Sequence, residues 1–227
     1  YIVRAPQSFS TTAAIPYIAT FEGIPNNANI SIPVYGNTSI LPADYKWNLI
    51  GNPYPSALDM DEFLSHPDNI AAVDGTIYLW THNSAPSNAI PGDQTYNYTA
   101  NDYATYNLSG GVATSPATPD PLHPEISNNF NTTTPTKYLA SGQAFFVRGL
   151  GNVPVRFIND MRVQDENNQF FRNPNPRGNT THSGIEKNRF WLNIRNNQGA
   201  FNQALIGYIE GATNGLDRGF DGNLFGG

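Results

Sequence analysis

The segment Trp47-Asn48-Leu49-Ile50-Gly51-Asn52-Pro53-Tyr54-Pro55-Ser56-Ala57-Leu58-Asp59 constrains the fold more than any other part of the chain. Its apolar first half places Trp47, Leu49 and Gly51 on one face, as a strand over Tyr45–Gly51 would. Two prolines within three residues then end the ladder, because each lacks a backbone N–H and fixes φ. Beyond them, Ser56 followed three residues later by Asp59 fits a capping box. Asp59, Asp61 and Glu62 would then occupy the first turn of a helix over Ala57–Ser65, ending before Pro67 and facing the core with Leu58 and Phe63. The three acids could instead ligate a cation, a reading that helix capping outweighs. The segment is a joint between elements and holds no nucleophile, base or metal pair.

Turn chemistry pervades the remainder. The 227 residues include 20 Gly and 18 Pro, and about one residue in eight is Asn. Such a chain favours short strands joined by tight turns, since Gly and Asn tolerate positive φ and Pro presets it. Strands are expected at Tyr1–Arg4, Tyr17–Phe21, Asn29–Val34, Tyr45–Gly51, Ile77–Thr81 and Tyr96–Tyr106. Val73-Asp74-Gly75-Thr76 reads as a turn, and Gly142–Gly149 with Val153–Ile158 as a hairpin around Leu150-Gly151-Asn152. Gly110–Pro135, rich in Thr, Pro, Ser and Asn, reads as a surface loop. Arg189–Arg195 alternates Phe190, Leu192 and Ile194 against Trp191 and Asn193, and Gln203–Glu210 alternates likewise across the turn Asn196–Gly199.

The resulting expectation is all-β: a jelly-roll-like antiparallel β-sandwich over 1–172 with one short helix, a linker over 173–183, and a hairpin and turn over 184–227. That hairpin cannot bury both its faces unaided. It either packs on the sandwich or begins a second β domain.

Several function classes recede. No Cys is present, which excludes disulfides and Cys-ligated metal centres. No apolar run reaches the 18 residues of a membrane-spanning helix. The opening Tyr1-Ile2-Val3-Arg4-Ala5-Pro6 lacks the basic start and apolar core of a signal peptide, and the chain reads as a piece of a longer protein. Net charge is −6, with most basic residues between Arg148 and Arg195 but interleaved with acids. This argues against nucleic-acid binding and for Arg pairing with carboxylates and carbonyls between strands. His66, His82, His123 and His182 have no metal-ligand spacing and read as solvent-facing loop residues. No catalytic motif with a nucleophile elbow, zinc helix or phosphate loop occurs.

Two sets of residues are candidate binding sites. Tyr96, Tyr98, Tyr103 and Tyr106 stand near a Thr- and Asn-rich loop, and exposed aromatic faces with amide donors suit a carbohydrate platform. The blander reading is cross-strand packing. Asn214, Asp217 and Asp221 sit in a Gly-rich turn and could offer oxygens to Ca²⁺, although Arg218 stands between the acids and the spacing departs from an EF-hand. An ordered turn with Asp–Arg–Asp pairing is the favoured alternative.

Tyr1–Pro6, Trp47–Asp59, Asp74-Gly75-Thr76-Ile77-Tyr78-Leu79-Trp80, Asp102–Asn107, Gly142-Gln143-Ala144-Phe145-Phe146-Val147, and Trp191-Leu192-Asn193 through Gly211–Gly222 share order and spacing with a known region. Together they resemble the non-catalytic region of large Bacteroidota surface proteins, upstream of a C-terminal sorting domain read by the type IX secretion system. The resemblance implies export by that machinery and a place outside the cell or on its surface. It also implies a non-enzymatic structural or spacer role in an adhesin-like protein, with surface glycans or other surface proteins as partners. A carbohydrate-binding module built on residues 96–106 is the alternative.

Overall fold

The computed structural model describes residues 22–36, 46–81, 83–84, 86–114, 134–168, 188–195 and 201–223, with Ile18, Thr20 and Phe171. The expected strand Tyr1–Arg4, most of Tyr17–Phe21, the linker 173–183, and His82, His123 and His182 lie outside these residues. The described chain is all-β and mostly antiparallel, as expected.

Its main sheet has five strands in the order β2-β8-β4-β5-β6, all antiparallel. They are β2 (Trp47–Gly51), β4 (Val73–Trp80), β5 (Tyr103–Asn107), β6 (Gly110–Val112) and β8 (Ala144–Gly149). Smaller sheets pair β1 (Ile30–Ile32) with β9 (Val155–Phe157), and flank β3 (Ala57–Asp59) by β7 (Tyr138–Leu139) and β10 (Arg162–Val163). One face of the main sheet presents Ile50, Phe145, Val147, Ile77, Leu79, Ala104 and Tyr106, all buried. Phe63 sits against that face, edge-on to Phe145 at 5.7 Å and stacked on Phe157 at 5.0 Å. Leu58, Met60, Val155 and Phe157 complete the same core cluster. Burial of this apolar surface is the main stabilising term.

The joint at Asn52 forms as the sequence suggests, and a single amide organises it. Asn52 Nδ2 donates to the carbonyls of Ser56 (2.8 Å), Leu139 (3.2 Å) and Ala140 (3.2 Å), while its Oδ1 accepts from the Tyr54 N–H (2.9 Å). The side chain thus completes hydrogen bonds that the prolines deny the backbone.

The helix departs from expectation at its start and ends at Ser65, before Pro67, as expected. Residues 57–59 are strand β3, and α1 runs Met60–Ser65 with Asp59, not Ser56, as its N-cap. Asp59 Oδ1 accepts from the Asp61 N–H at 2.9 Å, and Oδ2 pairs with Lys137 Nζ at 2.6 Å. Strand pairing of Leu58 with Leu139 and Arg162 overrides the capping-box signal. Where one short helix was expected there are two, because Pro67 begins a second helix, α2 (Pro67–Ala72), in which proline at N1 forfeits no intrahelical bond. His66 is half-buried at the junction, where its Nδ1 accepts from the Asp68 N–H.

Three further expectations are corrected. Val73–Thr76 is not a turn before a strand but a register shift inside the continuous strand β4, with Gly75 at φ +90°. Gly142–Gly149 and Val153–Ile158 do not form a hairpin, because β8 pairs with β2 and β4 while β9 crosses to β1. At the crossing, Gly149 lies so close to Tyr35 that a Cβ there would be 2.4 Å from the Tyr35 carbonyl oxygen. Gly110–Pro135 is not loop from its start, since Gly110–Val112 is the edge strand β6.

Two more strands, β11 (Asn188–Arg195) and β12 (Phe201–Tyr208), form an eight-pair antiparallel hairpin. No helix among the described residues is long and apolar enough to cross a membrane.

Candidate functional site

The four tyrosines do not gather. Residues 96–99 are loop, Ala100–Asp102 is a 3-10 turn, and β5 begins only at Tyr103, so Tyr96–Tyr106 is not one strand. Tyr96 and Tyr98 are 63% and 53% exposed in a loop that Asn97 closes through Nδ2 bonds to the carbonyls of Ile90 and Gln94. Tyr103 and Tyr106 share a strand but are three residues apart, which puts them on opposite faces. Tyr103 lies half-buried on the outer face, edge-on to Phe146 at 5.7 Å, and burial together with the Asp102 charge raises its phenol pKa. Tyr106 is in the core, where its hydroxyl donates to Asp61 Oδ1 at 2.7 Å. Burial and the Asp61 carboxylate push that phenol far above its ordinary value. Tyr106→Phe should therefore lower stability by about 2 kcal/mol, the range of a hydrogen bond to a charged group. Urea denaturation monitored by tryptophan fluorescence would read it.

The outer face carries other aromatics that the tyrosine count overlooks. Trp47 meets Tyr78 edge-on at 4.8 Å, and Trp80 meets Tyr98 edge-on at 5.5 Å. Leu49 and Trp80 are 38% and 37% exposed there. The alternation Tyr78, Trp80 on β4 and Phe146 on β8 is the sequence signal for this face.

The C-terminal turn uses its acids on its own backbone. Asp217 accepts from the Thr213 hydroxyl at 2.9 Å and from the Thr213 N–H, and Asp221 Oδ2 accepts from the Asp217 N–H at 2.8 Å. A calcium ion takes six to eight oxygens, and these carboxylates are already engaged by N–H and O–H donors. In the set Asn214, Asp217 and Asp221 both acids thus serve the turn's own hydrogen bonds, and the described residues hold no group of three His, Cys, Asp or Glu disposed for a metal. Backbone amides, rather than Arg218, order the turn.

That turn is docked. Gly219 lies against the Gly75 bulge so closely that a Cβ on Gly75 would be 2.4 Å from the Gly219 nitrogen. Leu108 N–H donates to the Gly219 carbonyl at 2.7 Å, while Asn107 Nδ2 and Ser109 Oγ donate to the Phe220 carbonyl at 2.8 and 2.7 Å. The Tyr78 hydroxyl reaches the Asn223 carbonyl at 3.3 Å. The hairpin is docked beside it by one face: Arg189 Nη1 donates to the Ser109 carbonyl at 2.6 Å and Trp191 Nε1 to the Gly111 carbonyl at 2.9 Å. Gln203 Oε1 accepts from the Ala113 N–H at 2.8 Å. Arg189 thus pairs with a carbonyl between strands, the use expected of the arginines in this half of the chain. The Asp74, Asp102 and Gly211 segments singled out above thus converge on one seam.

Asp74 stands at the bulge, its Oδ1 accepting from the Thr76 N–H. Burial raises its carboxyl pKa, against the pull of that N–H and of Arg148 and Arg218. The folded chain then holds the proton to higher pH than the unfolded chain does. This contribution is favourable below the unfolded value and is lost as pH rises through the folded one. Asp74→Asn should therefore gain in Tm relative to wild type at pH 7 and show no gain at pH 3, as read by scanning calorimetry.

These features define a class: an antiparallel β module whose C-terminal hairpin and turn are fastened to the edge of its main sheet. The chain matches, over residues 1–227, the family described as a domain of unknown function, DUF8693, and belongs to it. It matches no curated protein and no solved structure.

Proposed function

We propose that the chain is a non-enzymatic structural spacer of a surface protein exported by the type IX secretion system. The seam carries the structural half of this reading. Hydrogen bonds from Arg189, Trp191, Asn107, Ser109 and Leu108, with the Gly75–Gly219 contact, hold the hairpin and turn at a fixed place on the sandwich. Such a joint transmits position from one end of a module to the other. The resemblance of its segments to exported surface proteins supports the location.

Because the chain has no cysteine, a pair introduced at Asp160 and Ala212, both exposed, would carry spin labels uniquely, and dilution with unlabelled chain leaves only distances within one molecule. A single narrow distance distribution by pulsed electron resonance is expected, and a broad one would defeat the spacer reading. Protease shaving of intact cells tests location, since an exported module is cleaved without lysis and an internal one is not.

Carbohydrate binding is a second reading, favoured by the exposure of Trp80, Tyr96 and Tyr98. Its platform would be the outer sheet face rather than the four tyrosines. A glycan array that lights up for wild type and falls silent for Trp80→Ala supports it.

A further inference from the structure

The two faces of the β11–β12 hairpin differ in chemistry. One, with Arg189, Trp191 and Gln203, is bonded to β6 and its flanking residues. Register places Asn188, Phe190, Leu192 and Ile194 of β11 on the other face, opposite Tyr208, Ile206, Ala204 and Asn202 of β12. None of these residues is charged. Phe190 is 42% exposed, Leu192 51%, Ile194 76%, Ile206 37% and Tyr208 70%. The Phe190 and Tyr208 rings stack at 6.5 Å.

We propose that this face docks a second copy of the same chain, hairpin upon hairpin, across a twofold axis. Three observations favour that occupant. The face has the anatomy of an interface, with aromatic and aliphatic residues at its centre and polar Asn188 and Asn202 at its ends. It is self-complementary: uncharged throughout, it brings no like charges together when it meets itself, as an isologous contact requires. Its area also fits. Side chains at these exposures make a patch on the order of 500 Å², at the upper end of what monomers leave bare. Two such patches bury roughly 1,000 Å² in total, the lower limit for a specific contact. Stacked at the ordinary sheet separation of about 10 Å, the two hairpins form a small sandwich in which each covers the other. The modest area places the dimer among weak, transient contacts. This inference does not depend on export or on cellular location.

Sedimentation velocity of the whole chain over a wide concentration range tests it. The mass should rise from 24.9 kDa toward twice that value as concentration increases. Ile194→Lys, at the most exposed of the large apolar residues on the face, should weaken association at least tenfold, and the uncharged Leu192→Gln should weaken it in the same direction. Ile24→Lys, a 97% exposed residue outside the hairpin, should leave it unchanged. A wild type that stays monomeric at every concentration overturns the proposal. So does association that survives both hairpin substitutions, or that Ile24→Lys weakens as strongly.

Discussion

Asn52→Leu should destabilise the protein by about 4 kcal/mol, the sum expected when several buried backbone groups lose their only side-chain partner. For a chain of this size that corresponds to a fall in Tm of roughly 12 °C. Leucine keeps the heavy-atom count and branching of asparagine while removing its donor and acceptor, so the loss is chiefly one of hydrogen bonding. The carbonyls of Ser56 and Leu139 and the Tyr54 N–H would each lose the amide to an apolar group, while the Ala140 carbonyl would keep the Gln143 N–H at 3.2 Å. Asn52 is only 8% exposed, so water cannot replace the amide. Asn167 is the control. It also bonds two backbone groups, the Ser141 N–H and the Pro55 carbonyl, but it is exposed. Asn167→Leu should cost less than about 1 kcal/mol, because solvent satisfies both partners. Denaturant titration of the two variants separates burial from bond count. Equal losses would contradict the account of Asn52 as the organiser of the joint.

Gly75→Val should have the next largest effect, about 3 kcal/mol, combining a left-handed backbone imposed on a branched residue with expulsion of the turn that touches it. Gly75 has φ +90°, and its Cβ would lie 2.4 Å from the nitrogen and 2.7 Å from the Cα of Gly219. Backbone atoms cannot give way as a flexible side chain does, so the turn must leave. Hydrogen exchange would show the Leu108 amide, which donates to Gly219, losing protection while the amides of β8 keep theirs. Gly219→Ala distinguishes strain from crowding. Its φ is also +90°, but its Cβ would meet only the Leu108 side chain, at 3.2 Å. That variant should cost roughly half as much and leave the turn in place.

Local patterns were the legible part of the sequence. The alternation of Phe190, Leu192 and Ile194 specifies β11 and which of its residues share a face, while β12 begins two residues before the expected Gln203; the prolines around Tyr54 specify the break after β2. The helix start was misread because two signals compete at Ser56–Asp59. A capping box is a local preference, whereas the pairing of Leu58 with Leu139 depends on a strand far along the chain. The candidate tyrosines were misread for the opposite reason: counting aromatics ignored the two-residue period that sends Tyr103 and Tyr106 to different faces. Packing of the hairpin on the sandwich was one of two readings, but the place of the seam was not legible. Nothing local to Gly75 says that another glycine near the far end of the chain will lie against it. The crossing of β9 to β1 is of the same kind, since adjacent strands usually pair and these do not.

The seam also dictates an order of assembly. Tyr78 and Asn223 stand 145 residues apart in sequence, and the site that receives the turn exists only once β4 and β5 have paired. The entropy of closing so long a loop grows slowly with its length, but it must be met before any contact at the seam repays it. The main sheet is therefore expected to consolidate before the turn latches onto it, an order that pulsed hydrogen exchange during refolding would read as earlier protection in β4 and β5 than at Leu108. Fastening at Gly219 becomes a signature of completed folding: a chain whose turn is seated has already built the strands beneath it.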